Sequence, residues 1–506
     1  MRRHRDRLVR LRDREASRHI GCRIAEIYAS LTPDQIEEVT RIPSVERIVI
    51  SPKLENKVDV AKPTVGADYM NSSLGITGSG IKVAEVEVGR KVDKSNPLIG
   101  GSTITIDPAA NLCYPDSFPP HSTGVAGIMH SSRGIAPGTS LFATGDCFGD
   151  GDKLMARASY SVTATTSGGW GATVQNNSWG NTAEGEPTTE LNDLDKYFDA
   201  LWLKSYATLV FAAGNEGGTF ESGNVMSPGR AYNVITVGNY DDANTKSWAD
   251  DQMSNSSSWR NPYSTYGDRE KPELAAPGDN SVRTGAGPCE AYDFHCNYYS
   301  TVPVSTSVEW GNASGWGSIG EGTSYAAPVV SGAAALLQQR QPTLKAWPEA
   351  VKTILMATAV GNPDGQPPNY TVDGDESDGA GGIWIPYADN AARGVKGSWK
   401  AMAYSCSTAT PLSLVTMNLA AGRAARAVIV WDQNPNYVDY FYRPSADLDL
   451  KVLSPSGAVV AQSLSADNTF ELVSFTPSVS GTYTIRVVKD SCALTPNWLA
   501  GAWSQP

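Results

Sequence analysis

The chain has 506 residues and a mass of 53.8 kDa; at roughly 100 to 200 residues per domain it has room for about three domains. With 41 % hydrophobic and 19 % charged residues, 13 Trp and 21 Tyr, its composition is globular, which excludes disorder or a collagen-like repeat as the global state. A formal net charge of −12 and a pI near 5.0 argue against a nucleic-acid partner, because phosphate contacts need clustered Lys and Arg.

The charge is uneven. Residues 1–59 hold 13 Lys and Arg against 10 Asp and Glu, and the remainder holds 28 against 43, so a basic segment precedes an acidic body. The first twenty residues contain eight Arg and lack the continuous apolar stretch of a secretory signal. Residues 23–50 read as strand, helix, strand: RIAEIYA alternates, LTPDQIEEVTRI opens with a Thr cap and Pro, and VERIVI is β-branched. A small α/β unit is therefore expected over 1–60. SPKLENKVDVAKPTVGADYM, polar and without periodicity, reads as an exposed connector.

From Ile81 short apolar runs alternate with helical stretches. IKVAEVEV, SLFATG, ATVQNNSW, ATLVFAAG and NVITVGN read as buried strands; STGVAGIMH, TELNDLDKYFDALWLKS and AAPVVSGAAALLQQ read as helices. This pattern predicts an α/β domain over 61–400, a mostly parallel sheet with helices on both faces and ligands at the strand carboxyl ends. The longest apolar stretch, Ala326 to Leu337, falls short of the roughly 18 residues of a membrane span. Between Pro277 and Ser324 a Gly-, Ser-, Tyr- and Trp-rich stretch reads as a surface insertion. RAVIVWD, DLDLKVLSP, AVVAQS, FELVSFTP and GTYTIRVVK alternate apolar and polar residues and predict an antiparallel β-sandwich over 401–506.

Of seven cysteines, Cys22 stands alone and six group as Cys113/Cys147, Cys289/Cys296 and Cys406/Cys492. No CxxC spacing is present, so disulfides are the leading reading, with free thiols and a metal site as the others. Disulfides favour an oxidising compartment, and the expectation that reconciles this with the absent signal is a start placed late or an export signal lost upstream. The Cys406/Cys492 bridge is expected to tie the first and last strands of the sandwich. Asp447 and Asp449 share one face of a strand; structural calcium and solvated edge positions are the two readings.

Five histidines limit the choice of a general base. His4 and His19 lie in the basic arm, His295 abuts Cys296, and His130 closes a helix where a cation suits the dipole. His121 remains, entering a small-residue helix that leaves its ring in an open cleft. For a hydroxyl nucleophile, GEGTSYAAP supplies a permissive turn that puts Ser324 at a helix N-terminus; the plain alternative is that Ser324 or Thr323 is an N-cap.

Four ordered blocks, IKVAEVEVG, HSTGVAGI, FAAGNEGG and GTSYAAPVVSGAAALL, together resemble the subtilisin-like serine proteases, over roughly residues 60–390. The resemblance implies Ser324 as nucleophile, His121 as general base, Asn215 within GNEG as oxyanion donor, and the backbone of Ser178, Trp179 and Gly180, with Gly214, as the substrate-binding edge. The family's acid is Asp, whereas here the first block offers Glu87. Reference pKa values of about 3.9 and about 4.3 leave both ionised at neutral pH, so Glu can orient the imidazole; Asp93 is the alternative acid. Glu85, on the same strand face, is expected to be paired or hydrogen-bonded.

The resemblance further implies that 1–60 is an inhibitory propeptide cut between Ser51 and Lys62, that the protein is a secreted monomer acting on polypeptides without a cofactor in its chemistry, and that the sandwich is an accessory domain. Glu216 is expected near the acyl-side pocket, and Trp310, Trp316 and Tyr298–Tyr299 of the insertion are expected to narrow the cleft, as in a dedicated maturation protease. A noncatalytic peptide-binding or adhesion protein on a protease-like scaffold is the rival reading, and Glu87 is its only support.

Overall fold

The computed structural model describes residues 58–94, 99, 103–113, 121–181, 190–217, 224–243, 245–259, 262–278, 322–365 and 377–505. Expectations for 1–57, including Cys22, His4 and His19, and for the insertion with Cys289, His295, Cys296, Tyr298, Tyr299, Trp310 and Trp316, lie outside them. Residues 55–506 form one unit of the chain, which contains all that follows.

The stretch read as an exposed connector is instead structured and partly core. It forms helix α1 (Val58–Thr64) and a π turn over Tyr69–Ser73, and buries Val65, Ala67 and Met70. These apolar residues fall at irregular intervals, so no period announces them.

The main sheet contains β1 (Lys82–Val88), β2 (Ile104–Ile106), β3 (Ser140–Asp146), β4 (Val174–Asn177), β5 (Thr208–Ala212), β6 (Ile235–Asp241), β7 (Gln252–Met253) and β8 (Leu274–Pro277). Its order is β2-β3-β1-β4-β5-β6-β7, with β8 also on β6. Every pairing is parallel except the short β6–β7 contact. Strands covered on both faces need apolar side chains at every position, and all five residues of β5 are buried.

Crossover segments supply helices α2 (His121–His130), α3 (Gly151–Val162), α4 (Asp193–Ser205), α5 (Thr323–Arg340), α6 (Pro348–Thr358) and α7 (Ile385–Ala392). Helix α4 starts at a capping box, in which Asn192 accepts from Leu194 and Asp195 while the Asp195 carboxylate accepts from the Asn192 N–H. Helix α5, rich in Ala and Leu, runs through the centre of the core with fourteen of its eighteen residues buried.

The C-terminal segment is a β-sandwich. Strands β9 (Gly397–Ala403), β10 (Leu412–Leu419), β11 (Ala425–Trp431), β12 (Ala446–Leu453), β13 (Val459–Ser463), β14 (Phe470–Phe475), β15 (Gly481–Cys492) and β16 (Trp498–Ser504) form two antiparallel sheets, β10-β15-β12-β13 and β14-β11-β16-β9. The second sheet is buried on both sides. Ala427, Ile429, Trp431 and Trp503 point into the sandwich, while Val428, Val430, Leu472, Ala500 and Ala502 join the core of the main domain. Helix α6 packs on β11 and β16, and the Trp202 indole N–H donates to Asp432 at 3.1 Å.

Two bridges join cysteines of the expected pairs, Cys113–Cys147 and Cys406–Cys492. The second does not tie the first strand of the sandwich to its last: it joins the turn after β9 to the end of β15, and β16 follows.

A buried cation–carboxylate cluster links β8 to α6. Glu273 Oε1 lies 2.6 Å from Lys271 Nζ and 2.7 Å from Lys352 Nζ, with all three side chains at most 2 % exposed. Its second oxygen accepts from the Thr236 N–H at 2.7 Å. Glu273→Ala strands two ammonium groups in the core, and chemical denaturation should register a loss of about 3–5 kcal/mol.

Candidate active site

Strand β1 carries Glu87 to the carboxyl end of the sheet, and α2 begins with His121 beside it. Glu87 Oε2 lies 3.0 Å from His121 Nδ1, and Glu87 Oε1 accepts from the Val88 N–H at 3.0 Å. The carboxylate is 4 % exposed and the imidazole side chain 39 %, so the carboxylate is sealed while the imidazole is reachable. Burial alone would lower the imidazole pKa, but the charge of Glu87 and its hydrogen bond outweigh it and hold the value above the ordinary 6.5. The Tyr325 ring meets His121 edge-on at 5.6 Å, and burial, then the Glu87 charge, pushes its phenol up to about 12. The alternative acid, Asp93, is not bonded to His121; its backbone N–H donates to Thr123 Oγ1 at 2.8 Å.

Ser324 is the second residue of α5. Neither it nor Thr323 is the N-cap, a position taken by Gly322 without any side-chain cap. Thr323 instead locks the neighbouring loop. Its N–H and hydroxyl both donate to Asn215 Oδ1, at 2.8 and 3.0 Å, and its hydroxyl oxygen accepts from the Gly214 N–H at 3.0 Å. Because a backbone N–H can only donate, this contact identifies the Asn215 oxygen and leaves its NH2 group as the donor still available. The glycines here are obligatory: at Gly322, with φ +120°, a Cβ would stand 2.6 Å from Asn215 Oδ1, and at Gly214, with φ +113°, 2.5 Å from Met226 Cγ.

Pro328 explains a second contact at Ser324. Having no N–H, it cannot close the helical bond to the carbonyl four residues back, and that carbonyl, of Ser324, accepts from Ser178 Oγ at 2.7 Å. The Ser324 hydroxyl in turn donates to the Ser178 carbonyl at 3.2 Å, and Ser178 Oγ accepts from Asn176 Nδ2 at 2.9 Å. The segment after β4 is thereby bound to the start of α5.

The β4–β5 ladder ends at Asn177, and the next bridge joins Asn181 to Ser227, so Ser178, Trp179 and Gly180 lie between two pairings. The Trp179 ring packs edge-on against Phe198 and Phe211, and a Cβ at Gly180 would meet Met226 at 2.8 Å. Glu216 is half-buried, its N–H donating to Ser258 Oγ at 3.1 Å.

Other expectations need correction. His130 is not a cation at a helix end: it is 2 % exposed, bonds Thr139 Oγ1 at 3.0 Å, and burial pushes its pKa down to about 4. Glu85 is fully buried, but neither carboxyl oxygen has a hydrogen-bond partner, contrary to the pairing expected of it. Asp447 and Asp449 do share one half-buried face of β12, and burial, then Asp449 and neighbouring aspartates, raises Asp447 to about 7. Among the described residues no group of three or more His, Cys, Asp or Glu is placed to hold a metal ion, and no helix is long and apolar enough to cross a membrane. The Thr323 lock and the Pro328-freed carbonyl escaped sequence reasoning. The one signal for the latter was a proline four residues after the serine.

The model of the subtilase family of peptidases matches residues 104–382, a span that begins beyond Glu87. The chain is similar to serine protease AprX of Bacillus subtilis (strain 168), 28 % identical over 360 residues, covering 66 % of this chain and 73 % of that protein. It is also similar to subtilisin NAT of Bacillus subtilis subsp. natto, 27 % identical over 352 residues, covering 65 % and 74 %. Among solved structures, prenylagaramide maturation protease PagA aligns with a TM-score of 0.42 at 24 % identity, over 63 % of this chain and 98 % of that one.

The balance of burial against the Glu87 charge fixes the titration of His121. Observed by NMR, its midpoint should lie above 6.5, and in Glu87→Gln, where burial persists and the charge is gone, below it. Because the folded value is raised, the stability this contact adds is complete below pH 6.5 and fades as pH climbs through the folded midpoint.

Proposed function

Because this chain belongs to the subtilase family and is a serine endopeptidase acting on polypeptides, we propose that it cleaves them through an acyl-enzyme on Ser324, with His121 as base and Glu87 as orienting acid. The supporting observation is the 3.0 Å contact of the sealed Glu87 with an accessible His121. Ser324 Oγ attacks the scissile carbonyl carbon as His121 Nε2 takes its proton. The tetrahedral oxyanion receives the Asn215 NH2 and the Ser324 N–H, and His121 then protonates the departing amine. Water repeats the sequence on the acyl-enzyme, so the chemistry uses no cofactor. For the first step the Ser324 hydroxyl leaves the Ser178 carbonyl and turns toward the imidazole, a rearrangement that substrate docking commonly completes.

A glutamate replaces the usual aspartate without loss of aim because the Val88 N–H fixes its second oxygen. The main chain of Ser178 to Gly180, lying between two pairings, receives substrate as an added strand. Residues 1–60 act as a cleaved inhibitory propeptide, and the mature protein is a secreted monomer; the Cys113–Cys147 and Cys406–Cys492 bridges support the oxidising compartment.

A fluorophosphonate should label the processed protein at Ser324 and leave Ser324→Ala unlabelled; absence of labelling in the wild type would defeat the reading. Glu87→Gln should fold and lose about 10⁴ in kcat, the effect of the analogous change in another serine protease; unchanged turnover moves the acid role elsewhere. Asn215→Ala should lower kcat by about 100- to 1000-fold, the range measured for such a donor in a subtilisin.

A further inference from the structure

Behind the triad lies a carboxyl group to which the reaction above assigns no work. Glu85 precedes Glu87 by two residues on β1, so the two side chains share a face, with α carbons about 6.6 Å apart. It is 0 % exposed, and both its oxygens lack a hydrogen-bond partner. Its register neighbour on β4, Asn176, already donates its amide N–H to Ser178 Oγ and accepts from Ser331 Oγ.

The charged groups around it do not compensate it. On its own strand are Glu87 and, at the far end, Lys82, which donates to the Trp170 carbonyl. Strand β3 brings Asp146, in register with Val88, and β4 brings no ionisable side chain. Helix α2 brings His121, bonded to Glu87, and the neutral His130. Helix α3 brings Asp152, Lys153 paired with Asp150, and Arg157 paired with Asp107; α5 brings Arg340, paired with Asp389. Burial first, and the charge of Glu87 second, push the Glu85 carboxyl well above the ordinary 4.5. A carboxyl group in the core with no donor and no cation to compensate it is too costly to keep ionised, so it holds its proton and has one O–H to give.

We propose that Glu85 is a positioning residue of the triad: as a neutral acid it turns its O–H to Glu87, keeps the single negative charge of the pair on the carboxylate that holds His121, and so sets the pH at which the imidazole becomes a free base. The proposal rests on Glu87 as the triad acid. Glu87 has room for this bond, since each of its oxygens accepts only one hydrogen bond and a carboxylate has about four acceptor sites. A donated O–H divides the pull of Glu87 on the imidazolium; without it the imidazolium is held more tightly and the acid limb of activity moves to higher pH.

The test is the pH dependence of kcat/KM for the wild type, Glu85→Gln, which keeps a donor, and Glu85→Met, which keeps the shape without one; Glu85→Leu replaces the latter should it fail to fold. Infrared difference spectra at neutral pH accompany it. The expected result is a carbonyl band of an undissociated acid that Glu85→Gln removes, an unmoved acid limb in Glu85→Gln, and a limb about one pH unit higher in Glu85→Met. A limb that falls in Glu85→Gln means Glu85 carries charge, and overturns the proposal. So does a missing band, or a limb that moves in no variant, which leaves Glu85 a packing role. Glu87→Gln is measured alongside: retained turnover defeats the triad reading itself, whereas collapsed turnover with coincident Glu85 profiles defeats only this proposal.

Discussion

A negative charge held at the carboxyl end of a buried strand is the constraint around which this molecule is arranged. Glu87 meets two donors, the Val88 N–H and His121 Nδ1, and its side chain is almost wholly removed from water. Burying a carboxylate is costly unless such donors are fixed in place. A parallel sheet fixes them well: β1 is clamped between β3 and β4, and the helix start that carries His121 cannot drift without breaking the contact. The same charge lifts the imidazole pKa against the effect of burial and raises the phenol of Tyr325. It also bears on Glu85.

The serine side is organised by hydrogen bonds between segments far apart in the chain. Thr323 spans 108 positions to reach Asn215, and Ser178 spans 146 to reach Ser324. Each uses a backbone group left without its regular partner, one at the first turn of α5 and one at the carbonyl that Pro328 cannot satisfy. Helix-start irregularity here is the means by which Ser324, Asn215 and the edge after β4 are held in one register. A glycine at 322 follows necessarily, because any side chain there would occupy the Asn215 amide.

Strands β1 and β3 to β6 were legible from runs such as TLVFA, which a doubly covered sheet absorbs, whereas β2, β7 and β8 are two to four residues long, too short to show a pattern. The helix starts at His121 and next to Ser324 were legible because each lies in a block of small residues. What remained hidden has one physical origin: partners distant in sequence. Val65 and Met70 are buried by elements folded over them, not by a local period. His130 reads as a helix-end cation until its surroundings prove apolar. Periodicity does not announce strands β9 and β16: GSWKAMA and WLAGAWS carry Gly and Ala where a periodic reading looks for bulk, and small residues are what a sheet pressed close on both sides requires. Glu85 looked like a satisfiable strand residue, and its isolation appears only once β4 and its already committed Asn176 lie beside it.

The sheet β14-β11-β16-β9 presents one apolar face to its own sandwich and the other to the main core. In evolutionary terms this appendage is not freely exchangeable cargo. A lineage that deleted it would leave the apolar flank of α6 uncovered, and a sandwich moved elsewhere without its partner would bare Val428, Val430 and Leu472; contiguous patches of that kind drive aggregation. Gene rearrangements that shuffle such segments among hydrolases would here have to carry a matching α6 along, so the two halves of the chain are bound to change together.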